Sequence, residues 1–285
     1  MDDSKIFIVG ANGQLGTALR AQYPNAKYAD IDELDITDKQ SVESFDWSGI
    51  EVILNAAAYT NVDGAEAPEG RRAAWKVNAE AVGHLIHPVW RADMTIVHIS
   101  TDYVFDGTQE IHTEDETLSP LSVYGASKAA GDLLAATVDK HYILRTSWVI
   151  GEGNNFVRTM LGLGKKGVSP TVVADQIGRL TFTSELVRAI DHLLTTKAPF
   201  GTYNVSNSGE SASWADITRR IFELAGYDNL SVTNTNTADY YAGKEGIAPR
   251  PLQSTLDLTK LQSTGFLSYN WQEHLKEYIN KEFGK

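Results

Sequence analysis

The chain lacks cysteine, and it also lacks a surplus of positive charge. None of its 285 residues is a cysteine, which excludes disulfide bonds, thiol nucleophiles and metal sites built from thiolates. Its formal net charge is -12 at pH 7. Nucleic-acid binding usually needs a basic surface, so we expect no nucleic-acid partner, and an anionic ligand has to meet local hydrogen-bond donors.

The chain also lacks long apolar runs. A membrane-spanning helix needs about 18 or more consecutive apolar residues, and no stretch of the sequence approaches that length. The segment before Ile6 is short and acidic, unlike a secretory signal. We therefore expect a cytoplasmic protein with no membrane partner. Separately, we expect the protein to be a monomer or a homodimer.

Short apolar runs alternate with helix-compatible stretches in the first half of the chain. The runs cover residues 6–9, 52–54, 95–99 and 142–144, with a weaker one at 26–29. Residues 71–91 are compatible with a helix. This alternation predicts an α/β fold in which helices cover both faces of a Rossmann-like, doubly wound parallel sheet.

The pattern becomes irregular after about residue 150. Residues 151–155 and 233–237 resemble polar loops, and residues 211–225 and 271–283 have helical spacing. We expect a dinucleotide-binding Rossmann domain at residues 1–150. Residues 151–285 then form mainly a smaller α/β substrate-binding domain, with some later segments returning to the first domain.

Three glycines spaced as G-x-x-G-x-x-G follow the first predicted strand. Gly10, Gly13 and Gly16 precede a predicted helix at residues 17–22. Glycine lets the backbone approach a pyrophosphate, and the N-terminus of a helix offers free N–H groups and a favourable dipole. Between a strand and a helix, this spacing predicts a dinucleotide site rather than a simple packing turn. The expected contacts are Gly10, Asn12, Gly13, Gln14, Leu15 and Gly16.

An acidic residue about 20 positions after the loop begins bears on the choice of cofactor. Asp30 follows the weak second strand, where a carboxylate commonly accepts hydrogen bonds from the adenosine ribose, and this favours NADH. Asp32 and Asp35 lie close enough to take that role, and an exposed loop acid is the remaining alternative. The cofactor is therefore NADH or NADPH. Further expected cofactor contacts are Asp30, Asp35, Ile36 and the small residues Ala56, Ala57 and Ala58.

Tyr124 and Lys128 are four residues apart, so on a helix both project from one face. A free tyrosine has a pKa of about 10, and a nearby ammonium lowers it toward neutrality. Tyr124 then serves as the acid in carbonyl reduction. Thr101 follows the strand at residues 95–99, where open α/β sheets form ligand crevices. We expect Thr101, Tyr124 and Lys128 to be catalytic, and the last two to contact the cofactor as well.

Together these motifs resemble the extended short-chain dehydrogenase/reductase family, and within it the dTDP-4-dehydrorhamnose reductases. The resemblance spans nearly the whole chain. Its specific segments are Ser-Thr-Asp-Tyr-Val-Phe-Asp-Gly at residues 100–107 and Arg-Thr-Ser-Trp at residues 145–148. It implies reduction of the 4-keto group of dTDP-4-dehydro-L-rhamnose by NADH or NADPH, the last step in making dTDP-L-rhamnose for polysaccharides.

The same resemblance implies a set of substrate contacts. Trp148 matches a residue that packs on the sugar, although an aromatic after a strand is often a core residue. Thr60 and Val62 match the substrate-side loop. Asn155 is expected near the nucleotide, and Arg250 is a candidate diphosphate clamp or an exposed loop arginine. The full expected set is Thr60, Val62, Thr101, Asp102, Trp148, Asn155 and Arg250.

Two departures from the family pattern matter. Ala18 stands where a subset of the family has a glutamate used in a metal-bridged dimer, which argues against that metal and that dimer. The turn at residues 178–181 lacks a usual proline, which bears on the substrate-side loop and not on the catalytic centre. His84 and His87 are three residues apart on a predicted helix, but no third ligand is evident, so no metal is expected.

Three other functions fit parts of the pattern. A dehydratase of this family would carry a second acid after Asp102, and Tyr103 stands there instead. A sugar-nucleotide epimerase shares the tyrosine and lysine, but the chain is short for one. A non-catalytic NAD(P)-binding regulatory subunit, like the β subunit of methionine adenosyltransferase, shares the fold. The intact set of Thr101, Tyr124 and Lys128 favours an enzyme.

Overall fold

Short apolar strands alternate with amphipathic helices in the computed structural model, which describes residues 1–282. The strands are β1 (Ile6–Val9), β2 (Lys27–Ala29), β3 (Val52–Asn55), β4 (Thr95–Thr101), β5 (His141–Thr146), β6 (Val149–Ile150), β7 (Thr171–Val173), β8 (Ile177–Gly178), β9 (Thr181–Phe182), β10 (Gly201–Asn204), β11 (Ala212–Ser213) and β12 (Thr233–Thr235). The helices are α1 (Gln14–Gln22), α2 (Lys39–Ser44), α3 (Pro68–Trp75), α4 (Ala81–Arg91), α5 (Val123–Ala135), α6 (Phe156–Lys165), α7 (Thr183–Thr196), α8 (Trp214–Ala225), α9 (Thr237–Tyr241), α10 (Thr259–Ser263) and α11 (Trp271–Glu282).

One parallel sheet organises the first half of the molecule. Within residues 1–282 it has six strands in the order β2-β1-β3-β4-β5-β10. The chain runs from β1 outward to β2 and returns past β1 to β3, so the strand order reverses between β1 and β3. The carboxyl ends of strands beside such a reversal form a ligand crevice.

Both faces of this sheet are covered. Successive side chains of a strand point to opposite faces, so Ile6 and Ile8 pack into one core with Leu19 of α1 and Ile190 of α7. Phe7 packs into the other core, which contains residues of α2, α4 and α5. The prediction of a doubly wound α/β sheet is confirmed.

The later segments build a second core. Helices α6, α8 and α11 pack around residues such as Leu161, Ile221 and Leu275. Helix α7 and strand β10 instead return to the main sheet, where β10 pairs with β5. The division into two domains at residue 150 stays a prediction. No helix in the described part of the chain is both long and apolar enough to cross a membrane.

Several boundaries differ from those predicted. Helix α1 begins at Gln14 because Gly13, with an extended backbone, takes the N-cap position. A π-helical segment, Lys76–Glu80, joins α3 to α4. The expected loop at residues 233–237 was wrong, since β12 pairs in parallel with β7 and its threonines suit a strand. Helix α11 is described over Trp271–Glu282, and the predicted last helical residue, Phe283, lies outside the described residues.

Candidate active site

The glycine loop turns tightly between β1 and α1. Gly10 has a φ of +75°, and a Cβ added there would lie 2.6 Å from the Cα of Ala57. A Cβ on Gly16 would lie 2.1 Å from the carbonyl oxygen of Gly10. Both positions therefore require glycine, because the loop contacts the segment after β3 on one side and α1 on the other.

Gly13 has a different role in the loop. A Cβ there would lie 3.4 Å from its nearest neighbour, the carbonyl oxygen of Gly10, so the fold has room for one. Gly13 is the N-cap of α1, and no side chain of the described residues caps this helix there. The N–H groups of the first turn of α1 are thus available to a phosphate, as a dinucleotide site requires.

A crevice of about 350 Å³ extends from the loop toward the end of β2. The carboxylate of Asp30 accepts a hydrogen bond from the backbone N–H of Asn12 at 2.9 Å, which joins β2 to the loop. Asp35 accepts bonds from the hydroxyl and N–H of Thr37, and these lower its pKa. Predicted cofactor contacts that line this crevice are Gly10, Gly13, Asp30, Asp35, Ile36, Ala56, Ala57 and Ala58.

A second cavity of about 540 Å³ adjoins the first and shares Gly13, Ala56 and Ala58 with it. It lies over the carboxyl ends of β4 and β5. The predicted residues that line it are Gln14, Leu15, Thr60, Val62, Thr101, Asp102, Tyr124, Lys128 and Trp148. The structure thus brings the expected catalytic residues and most of the expected substrate contacts around one space.

Tyr124 is buried in the first turn of α5. The side chain of Ser122 caps this helix by accepting a hydrogen bond from the N–H of Gly125 at 3.1 Å. Burial raises the pKa of Tyr124 to about 12, although a hydrogen bond with the Thr101 hydroxyl opposes the rise. The expected lowering of this pKa by Lys128 was wrong, because burial of the phenol dominates and the charges of Asp102 and Asp132 add to the rise. Tyr124 therefore carries its proton at neutral pH.

Lys128 is fully buried, with 0% of its surface exposed. Its ammonium donates a hydrogen bond to the carbonyl oxygen of Ile99 at 2.6 Å, which leaves two of its three donors for other partners. Burial lowers the pKa of Lys128 to about 8, and the charge of Asp132 opposes that shift. Lys128 thus remains an ammonium at neutral pH and loses its charge above about pH 8.

A buried polar network behind Lys128 was missed by the sequence reasoning. Asp132, one turn further along α5, accepts a hydrogen bond from Nε of Arg145 at 3.1 Å. The side-chain oxygen of Asn55 accepts from the N–H of Ala57, so its amide nitrogen faces Nδ1 of His98 at 3.2 Å. Nε2 of His98 then lies 3.8 Å from Asp132. The only sequence signal was the spacing of four residues between the lysine and the aspartate.

Asn78 in the π-helical segment is a second missed residue. Its side chain accepts from the N–H of Tyr59 at 2.9 Å and donates to the carbonyl oxygen of Tyr59 at 3.1 Å. It also donates to the hydroxyl of Ser127 at 3.0 Å. Asn78 therefore ties the loop that carries Thr60 to the helix that carries Tyr124 and Lys128.

Asp102 lies beneath the same cavity and is 2% exposed. Its carboxylate accepts a hydrogen bond from the Thr101 hydroxyl at 3.1 Å. The same hydroxyl oxygen accepts from the N–H of Tyr103 at 3.2 Å. Burial raises the pKa of Asp102 to about 6, against hydrogen bonds from Ser254 and Thr101. These bonds fix the orientation of the Thr101 hydroxyl at the end of β4.

Asn155 and Arg250 are engaged outside the catalytic cavity. Asn155 is the N-cap of α6, where it accepts from the N–H of Arg158 at 3.0 Å and donates to the Tyr278 hydroxyl at 3.0 Å. Arg250 donates to the carboxylate of Asp63 at 2.9 Å and to the carbonyl oxygen of Ala248 at 2.8 Å. Neither lines the cavity around Tyr124, and their contact with substrate stays a prediction.

The two departures from the family pattern, Ala18 and the turn at residues 178–181, both pack within the fold. Ala18 packs against the core on the α1 face of the sheet. In the turn at residues 178–181, Gly178 pairs with Ala212 and Leu180 is buried. No group of three histidine, aspartate or glutamate side chains within the described residues is arranged to hold a metal ion.

Comparisons with known proteins agree with this geometry. The family model described as the RmlD substrate binding domain matches residues 4–283. A dTDP-4-dehydrorhamnose reductase of Aggregatibacter actinomycetemcomitans is 40% identical, over 96% of this chain and 97% of the relative. A solved dTDP-4-dehydrorhamnose reductase of Clostridium acetobutylicum is 37% identical, with a TM-score of 0.89 over 98% of this chain and 99% of that one. Its Bacillus anthracis counterpart, solved with NADP, is 36% identical, with a TM-score of 0.87 over 97% of each chain. The chain therefore belongs to the dTDP-4-dehydrorhamnose reductase family.

Proposed function

We propose that this protein is an oxidoreductase that reduces the 4-keto group of dTDP-4-dehydro-L-rhamnose to give dTDP-L-rhamnose. The observation that carries the proposal is the meeting of Thr101, Tyr124 and Lys128 around one cavity that adjoins the glycine loop. The names of the relatives support the substrate. The NADP bound to the Bacillus anthracis structure supports NADPH as the reductant, with NADH as the other candidate.

The residues of the glycine loop fit a dinucleotide. Gly13 leaves room for close approach of a pyrophosphate, and the uncapped first turn of α1 offers N–H groups to it. In this proposal Asp30, which lines the crevice, accepts from a ribose hydroxyl, and the two remaining donors of Lys128 serve the nicotinamide ribose. When bound, the reduced nicotinamide supplies the hydride.

The chain's own residues handle the proton and the developing charge. Tyr124 donates a hydrogen bond to the keto oxygen of the sugar, which gains negative charge as the C4 carbon is reduced. The Thr101 hydroxyl has one proton, so when the sugar binds it turns from Asp102 to donate a second bond to that oxygen. Tyr124 holds its proton at neutral pH and transfers it to that oxygen. The ammonium of Lys128 then offsets the negative charge left on the phenolate. The product is a hydroxyl at C4, and water from the bulk returns a proton to Tyr124.

The remaining predicted contacts divide between the two ends of the substrate. Thr60, Val62, Asp102 and Trp148 line the cavity and are proposed to hold the sugar. Asn155 and Arg250 lie further out and are proposed to serve the nucleotide and the diphosphate. In this proposal, residues after about 150 mainly supply the substrate side. We place the enzyme in the cytoplasm, as a monomer or a homodimer.

Consumption of reduced cofactor tests this function directly. The purified protein is mixed with dTDP-4-dehydro-L-rhamnose and NADPH or NADH, and the fall in nicotinamide absorbance is followed. We expect turnover by the wild type. The Tyr124→Phe variant should keep its cofactor affinity and lose at least about a hundredfold in kcat, since a general acid contributes on that order.

Two results would contradict the proposal. Cofactor binding without oxidation in the presence of the 4-keto sugar nucleotide would favour a regulatory subunit. Near-normal turnover by Tyr124→Phe would remove Tyr124 as the acid. Thr137→Ala, which alters an exposed hydroxyl after α5, is a control that should leave both cofactor affinity and kcat unchanged.

A further inference from the structure

Trp148 adopts a backbone conformation that a bulky side chain rarely takes. Its φ is +48°, in the left-handed region, and it lies between the end of β5 at Thr146 and the start of β6 at Val149. A non-glycine residue stays in this region only where its surroundings hold it there, and such residues concentrate at functional sites. Trp148 is half-buried and lines the catalytic cavity with Thr101 and Tyr124. Something outside the cavity must therefore hold this residue in place.

The indole of Trp214 supplies the main contact with Trp148. The two ring centroids lie 3.7 Å apart and the ring planes differ by 20°, which is a stacked arrangement. Gly178 packs closely beneath the same ring, because a Cβ there would lie 3.0 Å from Cζ2 of Trp148 and would press on the indole. Phe156 contacts the other indole, with its ring centroid 4.3 Å from that of Trp214.

Trp214 is itself held rigidly. It is the first residue of α8, whose N-cap Ser213 and Asp216 form a capping box. The hydroxyl of Ser213 accepts from the N–H of Asp216 at 3.1 Å, and the Asp216 carboxylate accepts from the N–H of Ser213 at 3.3 Å. Strand β11, directly before α8, pairs with the strand that contains Gly178. The support of Trp148 is therefore anchored in the second half of the chain.

We propose that Trp214 is a positioning residue for the sugar nucleotide, acting through Trp148. The stack fixes the Trp148 indole as a wall of the cavity. The sugar packs on this wall, which positions its keto oxygen within reach of Tyr124. Trp214 is not among the described residues that line this cavity, so its effect is indirect. The inference rests on the proposed function, in that the ligand of the cavity is a dTDP-sugar.

Steady-state kinetics of Trp214→Leu and Trp214→Phe test this proposal, with Trp90→Phe as the matched control. Trp90 is 61% exposed and lies on α4, away from the cavity. For Trp214→Leu we expect the KM for dTDP-4-dehydro-L-rhamnose to rise about tenfold, which corresponds to about 1.4 kcal/mol of lost binding. The KM for NADPH should stay within about twofold, because the ring contacts of Trp214 are with Trp148 and Phe156, and neither residue lines the glycine-loop crevice. Trp214→Phe keeps a smaller ring in the stack and should raise the sugar KM about threefold.

A spectroscopic measurement reports the stack without any turnover. Two indoles this close couple their electronic transitions, so the far-ultraviolet circular dichroism of the wild type should show a tryptophan couplet. The couplet should disappear in Trp214→Phe and in Trp148→Phe alike, and it should persist in Trp90→Phe. Binding of dTDP-L-rhamnose to the wild type should change its amplitude.

The outcomes separate this inference from the function on which it rests. A wild type that turns over no 4-keto sugar nucleotide refutes the proposed function. An active wild type whose sugar KM is unchanged in both Trp214 variants, although the couplet is lost, refutes the positioning role. Equal rises in the KM for sugar and for NADPH, with a lower Tm, would show a general structural role and refute it too. If Trp214→Leu does not fold, Trp214→Phe decides between these results.

Discussion

The charge state of Lys128 sets the expected pH dependence of catalysis. With a pKa lowered by burial to about 8, Lys128 is an ammonium below that pH and loses its charge as the pH rises through it. The ammonium is needed beside the phenolate that Tyr124 becomes, so kcat/KM should be level from about pH 6, where Asp102 titrates, to about pH 8, and it should fall above pH 8. The charges of Asp132 on its own helix and of His98 on β4 are coupled to Lys128, and Tyr124 lines the same cavity. Ser100 and Arg145 interact with Asp132.

Asp132→Asn removes the carboxylate that raises the Lys128 pKa. The alkaline limb of kcat/KM should therefore move to lower pH by about one unit, the usual size of one nearby charge. Asp132→Glu keeps the charge and should restore the limb, and Glu43→Gln, at an exposed position of α2, is the control. If Asp132→Asn lowers Tm but leaves the alkaline limb of kcat/KM at the same pH, Asp132 has only a structural role, in its ion pair with Arg145.

The roles of single residues were predictable from the sequence to different extents. Spacing placed Tyr124 and Lys128 together because a helix brings residues four apart to one face. The direction of the Tyr124 pKa shift was not predictable, because it depends on how deeply the phenol is buried. Asn78 and Trp214 were missed for a related reason: their partners are distant in sequence, and no local pattern connects them.

Gly13 and Gly16, at the start of α1, should respond differently to the same substitution. In Gly16→Ala the new Cβ meets the Gly10 carbonyl oxygen at 2.1 Å, so the backbone must move and Tm should fall by on the order of 5 °C or more. In Gly13→Ala the nearest contact is 3.4 Å, so the fold should keep its Tm. The added methyl would stand where a pyrophosphate approaches, so the KM for NADPH should rise at least about tenfold.

Thermal unfolding and cofactor titration distinguish the two glycines. Gly49→Ala is not a suitable control because its φ is +79°, whereas Gly162→Ala in α6 is, since a Cβ there meets nothing within 4 Å. A Gly13→Ala protein that binds NADPH as tightly as the wild type would mean that the loop does not receive the pyrophosphate at this residue.

Elements were predictable where a local pattern decides them. Buried parallel strands such as β1 and β4 are apolar runs, so they were found with nearly correct bounds. The π-helical segment at Lys76–Glu80 and the strand β12 were not found. The first depends on the packing of Asn78 against Tyr59 and Ser127, and the second on pairing with β7. Both are decided by partners far along the chain.

The two halves of the chain meet at the ion pair between Asp63 and Arg250. Asp63 follows Val62 in the substrate-side loop, and its carboxylate accepts from the N–H of Ala248 at 3.0 Å and from Arg250 at 2.9 Å. The Arg250 guanidinium also lies 4.8 Å from the ring of Tyr241. The segment around Arg250 is thus tied to the loop whose Thr60 and Val62 line the cavity, and contact of Arg250 with a diphosphate stays a prediction.

Opposite effects of two substitutions would identify Arg250 as a diphosphate ligand. Arg250→Ala removes the guanidinium, so the Kd for dTDP-L-rhamnose should rise at least about tenfold, since a charge-assisted pair is worth on the order of 1.5–3 kcal/mol. Asp63→Asn keeps an acceptor for Ala248 but removes the charge that competes for Arg250, so the Kd should stay level or fall. Calorimetric titration of both variants measures this difference. If the ion pair only holds the two halves of the chain together, both substitutions should weaken binding of dTDP-L-rhamnose to the same extent. Arg250 would then act on the substrate through Asp63 rather than by direct contact.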